Sequence, residues 1–395
     1  MIRSKHFSMS DSIENVLILQ GGGSLGAFGC GVFKALAKNK IKVDIIAGTS
    51  IGGVNAAIIA GNKENEDHPE IALEQFWLEL AENSVKLDPP IDWFLLGSPS
   101  LTINQTTTIP NTSIKSILAS YSSAIYGNDK MFVPRWRLDY IPTDRQYFTP
   151  VKWTYIYDHS PLVKTLEKYI DYNKLQPNGK PNARLIITAV NVLTAQPLTF
   201  DTSNHKITFR HILATSAYPL YGFPWVEVQK GVYAWDGSLL SNTPLREVID
   251  AAPVVNKRVF IVENYPKTIE SLPTNLPEIY HRARDIMFSD KTEASIKMST
   301  VITQYLQYIE ELYEIIEKHI DFEKLDTKEM KIIRTKYKKF KQERGAEIKT
   351  VSHISRDEPF PYLYENADFS LDAIRNSIRE GEIKANQILK AIKIK

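Results

Sequence analysis

Cysteine is almost absent from this sequence, since Cys30 is the single one among 395 residues. An intrachain disulfide is therefore impossible, and a cysteine-rich metal site is excluded. A chain so poor in cysteine fits a reducing compartment, because disulfides are typical of oxidising ones. We accordingly expect a cytoplasmic protein, and no pattern of metal ligands is present.

An excess of charge of one sign is lacking too. The 48 basic and 46 acidic side chains leave a net charge of +2. Proteins that bind nucleic acids usually carry a clear basic excess, so we do not expect such a partner. Hydrophobic residues make up 43% and charged residues 24%, which is ordinary for a globular protein with a sizeable core.

Long hydrophobic runs are missing as well. Residues Met1 to Ser10 contain no apolar stretch of the length that a signal peptide needs. The most apolar long stretch, Val43 to Ala60, includes Asp44, Asn55 and several glycines, whereas a membrane span needs about 20 mostly large apolar residues. We therefore predict neither a signal peptide nor a transmembrane segment, and we expect any membrane contact at the protein surface.

Strands and helices alternate near the N-terminus. Asn15 to Gln20 is a short apolar run that predicts a buried strand, a glycine loop follows at Gly21 to Gly26, and Ala27 to Leu36 has helical spacing. Val43 to Ala47 then predicts a second strand, and Val54 to Ala60 a second helix. This order is typical of a parallel sheet covered by helices.

The rest of the chain divides by composition. Residues 84 to 160 are rich in proline, serine, threonine and aromatic residues, so we predict an irregular region of the kind that often forms a lid or wall over an active site. Apolar periodicity then predicts a helix at Pro161 to Ile170 and a helical region after about residue 275, as in Val301 to Ile316. Further short strands are predicted at Leu185 to Leu193, Pro197 to Phe200, Ile207 to Phe209, Trp225 to Val228, Val232 to Trp235 and Arg258 to Glu263.

The first glycine loop, Gly21-Gly22-Gly23-Ser24-Leu25-Gly26, follows a predicted strand and precedes a predicted helix. Such loops point backbone N–H groups at an anion, aided by the helix N-terminus. The anion can be the pyrophosphate of a dinucleotide, with Asp44 as the ribose-binding acid, or the oxyanion of an ester-cleavage intermediate. A purely structural turn is the third interpretation, and the loop alone does not decide among them.

A second glycine turn, Gly48-Thr49-Ser50-Ile51-Gly52, also joins a strand to a helix. This context gives the G-x-S-x-G pattern meaning, because the serine of a strained strand-to-helix turn exposes its hydroxyl at the sheet edge. The alternative is a glycine-rich turn whose serine only caps the helix. Since ligands bind at the carboxyl ends of parallel strands, the two loops together favour a nucleophile, Ser50, that faces an oxyanion hole.

A serine nucleophile needs a base, usually a histidine backed by a carboxylate. None of the eight histidines stands in a motif at a strand end, and His281 is the best candidate for a Ser-His-Asp triad by chain order alone. Asp236-Gly237-Ser238 does end a predicted strand, at a glycine turn. Partial burial beside Trp235 would raise the pKa of Asp236 toward the range of a useful base, although Asp-Gly is also a common turn.

The glycine loop Gly21 to Gly26, the turn Gly48 to Gly52 and the turn Asp236 to Ser238, in this order and spacing, resemble the motifs of the patatin-like phospholipase family. Ala214 to Pro219, with Phe223-Pro224, resembles the segment ahead of the catalytic aspartate in that family. The sequence looks most like a bacterial-type branch with a C-terminal extension. That similarity is carried by Gln20 to Val32, Gly48 to Asn55 and Trp235 to Leu245, and in the extension by Arg284 to Ser289 and Phe369-Ser370.

The resemblance implies a serine acyl-ester hydrolase that releases fatty acids from lipids through an acyl-enzyme, without a cofactor. Ser50 would be the nucleophile and Asp236 the base of a Ser-Asp dyad. The loop Gly21 to Gly26 would form the oxyanion hole, with N–H donors from Gly22, Gly23 and Ser24. The implied substrates are phospholipids, lysophospholipids or neutral lipids.

Two positions depart from the pattern of the family. Leu25 stands where many members have arginine or lysine, which puts a preference for anionic head groups in doubt. Ser238 stands where many members have glycine or alanine, a small change that we expect to be tolerated.

The implied fold is a three-layer α/β/α patatin-like architecture with a mainly parallel central sheet and a helical C-terminal extension. We expect the catalytic domain at residues 12–265, with the irregular insertion at about 84–160, and the extension at 275–395. Two other functions stay open, an NAD(P)-binding oxidoreductase that uses the glycine loop and an α/β-hydrolase with a Ser-His-Asp triad. A non-catalytic member of the same fold is a further alternative.

A basic amphipathic segment lies in the extension. Lys328 to Arg344 interleaves its basic residues with Ile332, Ile333, Tyr337 and Phe340. Such a segment can lie on anionic lipid, or it can be a solvated helix that packs its apolar edge on the protein. The second arrangement is the commoner one, so peripheral membrane contact here is a separate hypothesis.

Overall fold

The computed structural model describes residues 13–63, 68–82, 111–251, 255–319, 346–358, 362 and 364–392, with scattered positions between 328 and 339. The strands are β1 (Ile13–Leu19), β2 (Ile45–Gly48), β3 (Val133–Pro134), β4 (Tyr157–Asp158), β5 (Arg184–Asn191), β6 (Pro197–Asp201), β7 (Val226–Gln229), β8 (Val232–Asp236), β9 (Asn256–Glu263) and β10 (Ile348–Ser355). The helices are α1 (Ala27–Lys38), α2 (Ile51–Ala60), α3 (Pro69–Glu82), α4 (Asn111–Tyr126), α5 (Pro161–Tyr169), α6 (Phe209–Thr215), α7 (Leu245–Ile249), α8 (Leu276–Phe288), α9 (Glu293–His319) and α10 (Leu371–Ala391).

One mixed sheet forms the centre, with the strand order β10-β9-β1-β2-β5-β8-β7 and with β6 beside β5. Strands β10, β9, β1, β2 and β5 are parallel to one another. Strands β6 and β8 run antiparallel to β5, and β7 antiparallel to β8. The predicted α/β fold with a mainly parallel sheet is thereby confirmed.

The burial of β1 shows the layers. Leu17 and Leu19 belong to one core cluster, with residues of α1, α2, α3 and α10, whereas Val16 and Ile18 belong to a second cluster, with residues of α7. Alternate residues of a strand point to opposite faces, so both faces of the sheet are covered. A parallel strand covered on both sides reads as the continuous apolar run seen in this sequence.

One predicted strand is wrong. Ile207 to Phe209 does not form a strand, because helix α6 begins at Phe209 with Thr208 as its N-cap. Thr208 and His211 form a capping box, in which each side chain bonds to the backbone of the other residue. This local capping outweighs the short apolar pattern that favoured a strand.

The predicted irregular region is only partly irregular. Helix α4 and the short antiparallel pair of β3 and β4 lie within it. Its residues 84 to 110 lie outside the part of the chain that the structure describes. A helix as long as α4 was missed because its serines and threonines favour loops and caps over helix interiors.

The C-terminal extension is helical, as predicted, but it also adds strand β10 to the edge of the central sheet, parallel to β9. Helix α10 crosses α1 at two glycines. A Cβ on Gly31 would lie 1.8 Å from the carbonyl oxygen of Ile378, and a Cβ on Gly381 would lie 2.1 Å from that of Phe28. The two helices therefore touch along their backbones, which binds the extension closely to the N-terminal helix.

Among the helices that the structure describes, none combines the length and the apolar character that crossing a membrane requires. Most of the segment Lys328 to Arg344 lies outside the described ranges, so its contact with lipid stays a prediction.

Candidate active site

Strand pairing explains how the two motifs meet. On β5, Ile187 pairs with Gly48 at the end of β2, and Ala189 pairs with Asp236 at the end of β8. Because β6 occupies the other edge of β5 from Ile186 to Val190, β2 and β8 must share a single edge, one after the other. Their last residues therefore face each other across a narrow gap in the sheet.

Ser50 occupies this gap at the start of α2. Its backbone, with φ 57° and ψ −134°, has a conformation that residues other than glycine rarely adopt. Its N–H donates to Thr215 Oγ1 at 3.2 Å, and that hydroxyl donates to the carbonyl oxygen of Thr188 at 2.6 Å. Gly52 allows the tight turn, because a Cβ there would lie 2.1 Å from the carbonyl oxygen of Leu19. This is the geometry by which nucleophile elbows expose a serine hydroxyl.

Asp236 is completely buried at the end of β8. Its Oδ1 accepts hydrogen bonds from the N–H of Ser238 at 2.8 Å and from the hydroxyl of Ser238 at 2.5 Å. Its Oδ2 is buried without a hydrogen-bond partner among the described residues. Burial raises the pKa of Asp236 to about 6, against the lowering effect of hydrogen bonding by Ser238 and, more weakly, by the hydroxyl of Ser50. The carboxyl is thus tuned toward neutral pH, its Oδ2 has no hydrogen-bond partner of normal geometry in the part of the chain that the structure describes, and the Ser50 hydroxyl is near enough to lower its pKa.

The glycine loop lies directly against Ser50. A Cβ on Gly21 would lie only 2.6 Å from that of Ser50. Gly22 and Gly23 have φ values of 155° and 60°, which only glycine adopts easily. The N–H of Gly21 donates to Asn242 Oδ1 at 2.9 Å, and the N–H of Leu25 donates to the carbonyl oxygen of Gly22 at 3.2 Å. The amides of Gly21 and Leu25 are thus already hydrogen-bonded within the protein. The amides of Gly22 and Gly23 have no partner among the described residues.

Two asparagines hold this loop in place. The side-chain amide of Asn264 donates to the carbonyl oxygens of Gln20 and Gly21, both at 3.1 Å. Asn242 accepts from Gly21 and donates to the carbonyl oxygen of Phe288 at 3.0 Å. Neither asparagine was predicted as part of the site. Asn242 lies in the quoted segment Trp235 to Leu245, which was the available signal.

A cavity of about 390 Å³ opens beside Ser50 and the glycine loop. Its walls are mostly apolar and aromatic and include no lysine, arginine, aspartate or glutamate among the described residues. Apolar wall residues come from residues 124–162, from the 216–223 segment and from the C-terminal extension, among them Phe132, Ile156, Phe223, Tyr364 and Phe369. The region predicted as a wall or lid therefore does contribute a wall.

The other predicted motif residues have structural roles around Ser50 and Asp236. Thr49 Oγ1 lies 2.7 Å from Thr188 Oγ1. A Cβ on Gly237 would lie 2.5 Å from Thr188 Oγ1, and one on Gly26 would lie 2.8 Å from the side chain of Ile51. Gly26 thus permits the close approach of the glycine loop to α2, and Gly237 permits the close approach of the aspartate turn to β5.

Leu25 is buried in a small apolar cluster with Tyr218, Tyr265 and Phe288. A lysine or arginine at this position would have to bury its charge among aromatic side chains, which is costly without a partner. The departure at Leu25 therefore fits its surroundings.

The residues named for the two alternative functions, His281 and Asp44, are placed elsewhere. His159 does line the cavity, but burial lowers its pKa to about 4. His281 is buried among charged residues of the extension and does not line the cavity. Against the lowering effect of burial, hydrogen bonds to Asp285, Glu358 and Glu365 raise the pKa of His281 to about 10. Because His281 is held in this cluster and does not line the cavity, it cannot accept the proton of Ser50.

Asp44 accepts a hydrogen bond from the N–H of Asn15 at 3.0 Å. Asn15 lies near the start of β1, whereas the glycine loop follows its end. Asp44 therefore lies at the end of the sheet opposite to the glycine loop. There it cannot bind the ribose of a dinucleotide that is held by that loop.

Among the described residues, two groups of acidic and histidine side chains come close enough to share a metal ion. They are Glu263, Asp290 and His353, and His281, Asp285 and Glu358. Each already contains a cationic partner, because Lys267 pairs with Asp290 at 3.0 Å and Arg356 pairs with Glu358 at 2.6 Å. We assign a metal to neither group.

Comparison with known proteins adds a family. The sequence model of the family described as patatin-like phospholipase matches residues 17–249. The curated protein "Triacylglycerol lipase SDP1L" of Arabidopsis thaliana is 51% identical over 46 residues, which are 12% of this chain and 6% of that lipase. This chain therefore matches only a small part of the length of that relative.

Solved structures are more distantly similar. VipD from Legionella pneumophila has 12% sequence identity and a TM-score of 0.34, over 96% of this chain and 67% of that chain. ExoU from the type III secretion system of Pseudomonas aeruginosa, in complex with SpcU, has 17% identity and a TM-score of 0.27, over 69% of this chain and 47% of that chain.

Proposed function

Since this chain belongs to the patatin-like phospholipase family, and is thus a lipid acyl hydrolase by family, we propose that it cleaves carboxylic esters of lipids with a Ser-Asp dyad. Ser50 is the nucleophile and Asp236 is the base. The oxyanion hole is formed by the glycine loop, with the amides of Gly22 and Gly23 as its main donors. No cofactor takes part in this mechanism.

The observation that carries the proposal is the state of Asp236. Its carboxyl is fully buried, one oxygen is fixed by Ser238, and the other has no hydrogen-bond partner among the described residues, while the Ser50 hydroxyl is near enough to lower the pKa of the carboxyl. A buried carboxylate with a free oxygen is costly, and its pKa near 6 is well matched to accepting a proton at neutral pH. A merely structural Asp-Gly turn needs neither feature.

The reaction proceeds in two steps. Asp236 accepts the proton of the Ser50 hydroxyl while the Ser50 oxygen attacks the ester carbonyl. Asp236 passes that proton to the departing alcohol, and an acyl-enzyme forms. Asp236 then accepts a proton from water, which attacks the acyl group. The bond between the acyl group and Ser50 breaks, the fatty acid is released, and Asp236 returns the proton to the Ser50 oxygen. In both steps the carbonyl oxygen becomes an oxyanion that the amides of the glycine loop stabilise.

The character of the cavity walls supports a substrate that carries a fatty acyl group. They are apolar and aromatic and carry no charged side chain among the described residues. Burying an acyl chain against such walls stabilises binding by roughly 0.8 kcal/mol per methylene group. Large apolar side chains also extend outward at the mouth, where Leu220 is 72% exposed.

The experiment is hydrolysis of p-nitrophenyl butyrate by purified protein, together with labelling by a fluorophosphonate. Ser50→Ala should abolish both hydrolysis and labelling. Asp236→Asn should lower kcat by at least about a thousandfold, because an amide cannot accept the proton.

Ser271→Ala is the matched control, since Ser271 is exposed and outside the cavity. It should retain full activity. Undiminished hydrolysis by Asp236→Asn would contradict the dyad, and labelling of a residue other than Ser50 would contradict the nucleophile.

A further inference from the structure

The turn Tyr364–Ala367 of the C-terminal extension lies against the glycine loop, although it is far outside the residues 17–249 that the family model matches. Tyr364, Asn366 and Ala367 line the same cavity as Ser50. The extension is thus part of the wall of the candidate active site and packs behind its oxyanion loop.

Two contacts join the turn to the loop. The hydroxyl of Ser24 donates to the carbonyl oxygen of Glu365 at 3.0 Å, in a buried position. A Cβ on residue 23 would lie 2.2 Å from the carbonyl oxygen of Asn366, so the backbone of the turn occupies the space that any larger residue would need. Both contacts act on the segment whose amides are free to bind an oxyanion. A shift of the turn would therefore shift these amides.

The turn itself is held in an unusual conformation. Tyr364 has a φ of 62°, in the left-handed region that favours glycine. A strained residue persists only where its surroundings hold it in place. One such contact is with α4, because the rings of Tyr121 and Tyr364 pack edge to face with centroids 5.5 Å apart.

The strongest anchor is the side chain of Glu365. Its carboxylate is buried and accepts a hydrogen bond from Arg356 at 2.6 Å. It also lies 3.2 Å from His281 and 3.4 Å from Arg284. Although burial opposes the charge, these cations hold the pKa of Glu365 well below its usual value, with Arg356 as the largest contributor.

These residues belong to one compact cluster with balanced charge. Its cations are Arg284, Arg356 and His281, and its carboxylates are Asp285, Glu358 and Glu365. Removing one member of a buried ion pair leaves its partners uncompensated, so the cluster favours a single arrangement. Glu365 is the member whose own backbone reaches the glycine loop.

From this geometry we infer that Glu365 is a positioning residue for the oxyanion hole. Its side chain is fixed in the charge cluster, and its backbone, with that of Asn366, holds Gly23 and Ser24 in the conformation that points the loop amides at the substrate. The C-terminal extension thereby completes the catalytic site. This inference rests on the proposed function, because it assigns a role in the same reaction.

The test compares Glu365→Gln and Ser24→Ala with the full-length wild type. The first removes the charge of the anchor and keeps its shape, and the second removes only the hydrogen bond between loop and turn. The matched control is Glu382→Gln, which removes a carboxylate of the extension that pairs with Lys38 at 3.3 Å, away from the loop. Thermal unfolding identifies any variant that fails to fold, in which case Ser24→Ala decides.

Two readouts separate positioning from stability. The first is kcat and KM for p-nitrophenyl butyrate. The second is inhibition by an alkyl trifluoromethyl ketone, which forms a tetrahedral oxyanion adduct with a serine, compared with inhibition by butyrate. We expect Glu365→Gln to lower kcat about 10- to 100-fold, with KM changed less than about twofold. This loss is smaller than the roughly 100- to 1,000-fold loss that follows removal of an oxyanion-hole donor, because the donors would be displaced and not removed. Binding of the ketone should weaken in parallel, whereas inhibition by butyrate should not change.

Each outcome has a distinct meaning. If both variants keep the kcat and the ketone affinity of the control while the wild type is active, the inference is wrong and the proposed function stands. If the wild type neither hydrolyses esters nor reacts with the fluorophosphonate, the proposed function is wrong, and this inference fails with it. A selective loss of kcat and of ketone binding in Ser24→Ala supports it even where Glu365→Gln is unstable.

Discussion

Asp236 and Gly48 lie end to end along one edge of β5, paired with Ala189 and Ile187 and separated only by the level of Thr188. Strand β8 runs antiparallel to β2 on that edge, so the C-terminal ends of these two strands approach each other. This arrangement brings a carboxylate to a serine that is far from it in the sequence. It also buries the carboxylate, because the sheet continues on either side of the gap.

The pH dependence of catalysis should follow Asp236. Its pKa is raised to about 6 by burial, and only the ionised form accepts the proton of Ser50. We expect kcat/KM to rise with pH through about 6 and to be level above about pH 7, with one apparent ionisation. A pH–rate profile between pH 4.5 and 9 measures this. A flat profile over that range would contradict Asp236 as the base.

Ionisation of Asp236, which should favour catalysis, should lower the stability of the folded protein. Because the pKa of Asp236 is raised above its unfolded value of 3.8, ionisation costs the folded state stability as pH rises from about 4 through about 6. Asp236→Asn removes this cost. We expect it to raise the melting temperature at pH 8 and to have much less effect near pH 4, which calorimetry at both pH values measures. A lower melting temperature for the variant at pH 8 would show that hydrogen bonding by Ser238 dominates.

Asn242 should matter for catalysis through the glycine loop. Asn242→Ala leaves the N–H of Gly21 without its acceptor, and an unsatisfied buried donor costs about 1–3 kcal/mol. We expect a lower kcat, by about tenfold or more, measured with p-nitrophenyl butyrate. Asn204→Ala is the control, because Asn204 is exposed in a turn, and equal activities of the two variants would contradict a role for Asn242.

The exposed rim of the cavity should act on long-chain substrates. Leu220 lines the cavity and is 72% exposed, so Leu220→Asp places a charge where an acyl chain enters. We expect hydrolysis of p-nitrophenyl palmitate to fall about tenfold, which corresponds to losing the burial of one large apolar side chain. Hydrolysis of the acetate ester should change little. Leu272→Asp, at an 85% exposed leucine outside the cavity, should affect neither substrate.

Helix propensity and packing oppose each other at Gly381. Alanine is favoured over glycine in a helix by about 1 kcal/mol. The new Cβ would lie 2.1 Å from the carbonyl oxygen of Phe28, so α10 and α1 would have to separate. We expect Gly381→Ala to destabilise the protein by about 1–3 kcal/mol in urea unfolding, as overpacking does. Arg379→Ala, on the exposed face of the same helix, should be neutral, and a stabilised Gly381→Ala would refute the tight crossing.

Much of the sheet was predictable from local patterns. Strands β1, β2, β5 and β9 are buried on both faces, so their apolar runs are continuous and bounded by clear turns. The motifs around Ser50 and Asp236 could be found for a similar reason, because tight backbone approaches restrict positions such as Gly52 and Gly237 to glycine.

The missed features depend on contacts between distant segments. Strand β10 is an edge strand that mixes lysine, serine and histidine with apolar residues, and its place is set by pairing with β9. Asn242 and Asn264 carry no local pattern, since their role arises only when their amides meet the glycine loop. The burial of Glu365 was equally invisible, because its partners come from two separate parts of the extension, α8 and the segment after β10.

Strand β1 lies between β2, which follows closely in the chain, and β9, which comes more than two hundred residues later. Helix α1 and its partner α10 are even farther apart in the sequence. Contacts of such long sequence separation slow folding, because a large loop must close before they form. During synthesis on the ribosome, β1 therefore stays without its neighbour β9 until residues 256–263 have emerged, and α1 stays without α10 until residues 371–391 have emerged. Apolar surface that is left uncovered in the meantime makes a nascent chain prone to aggregation.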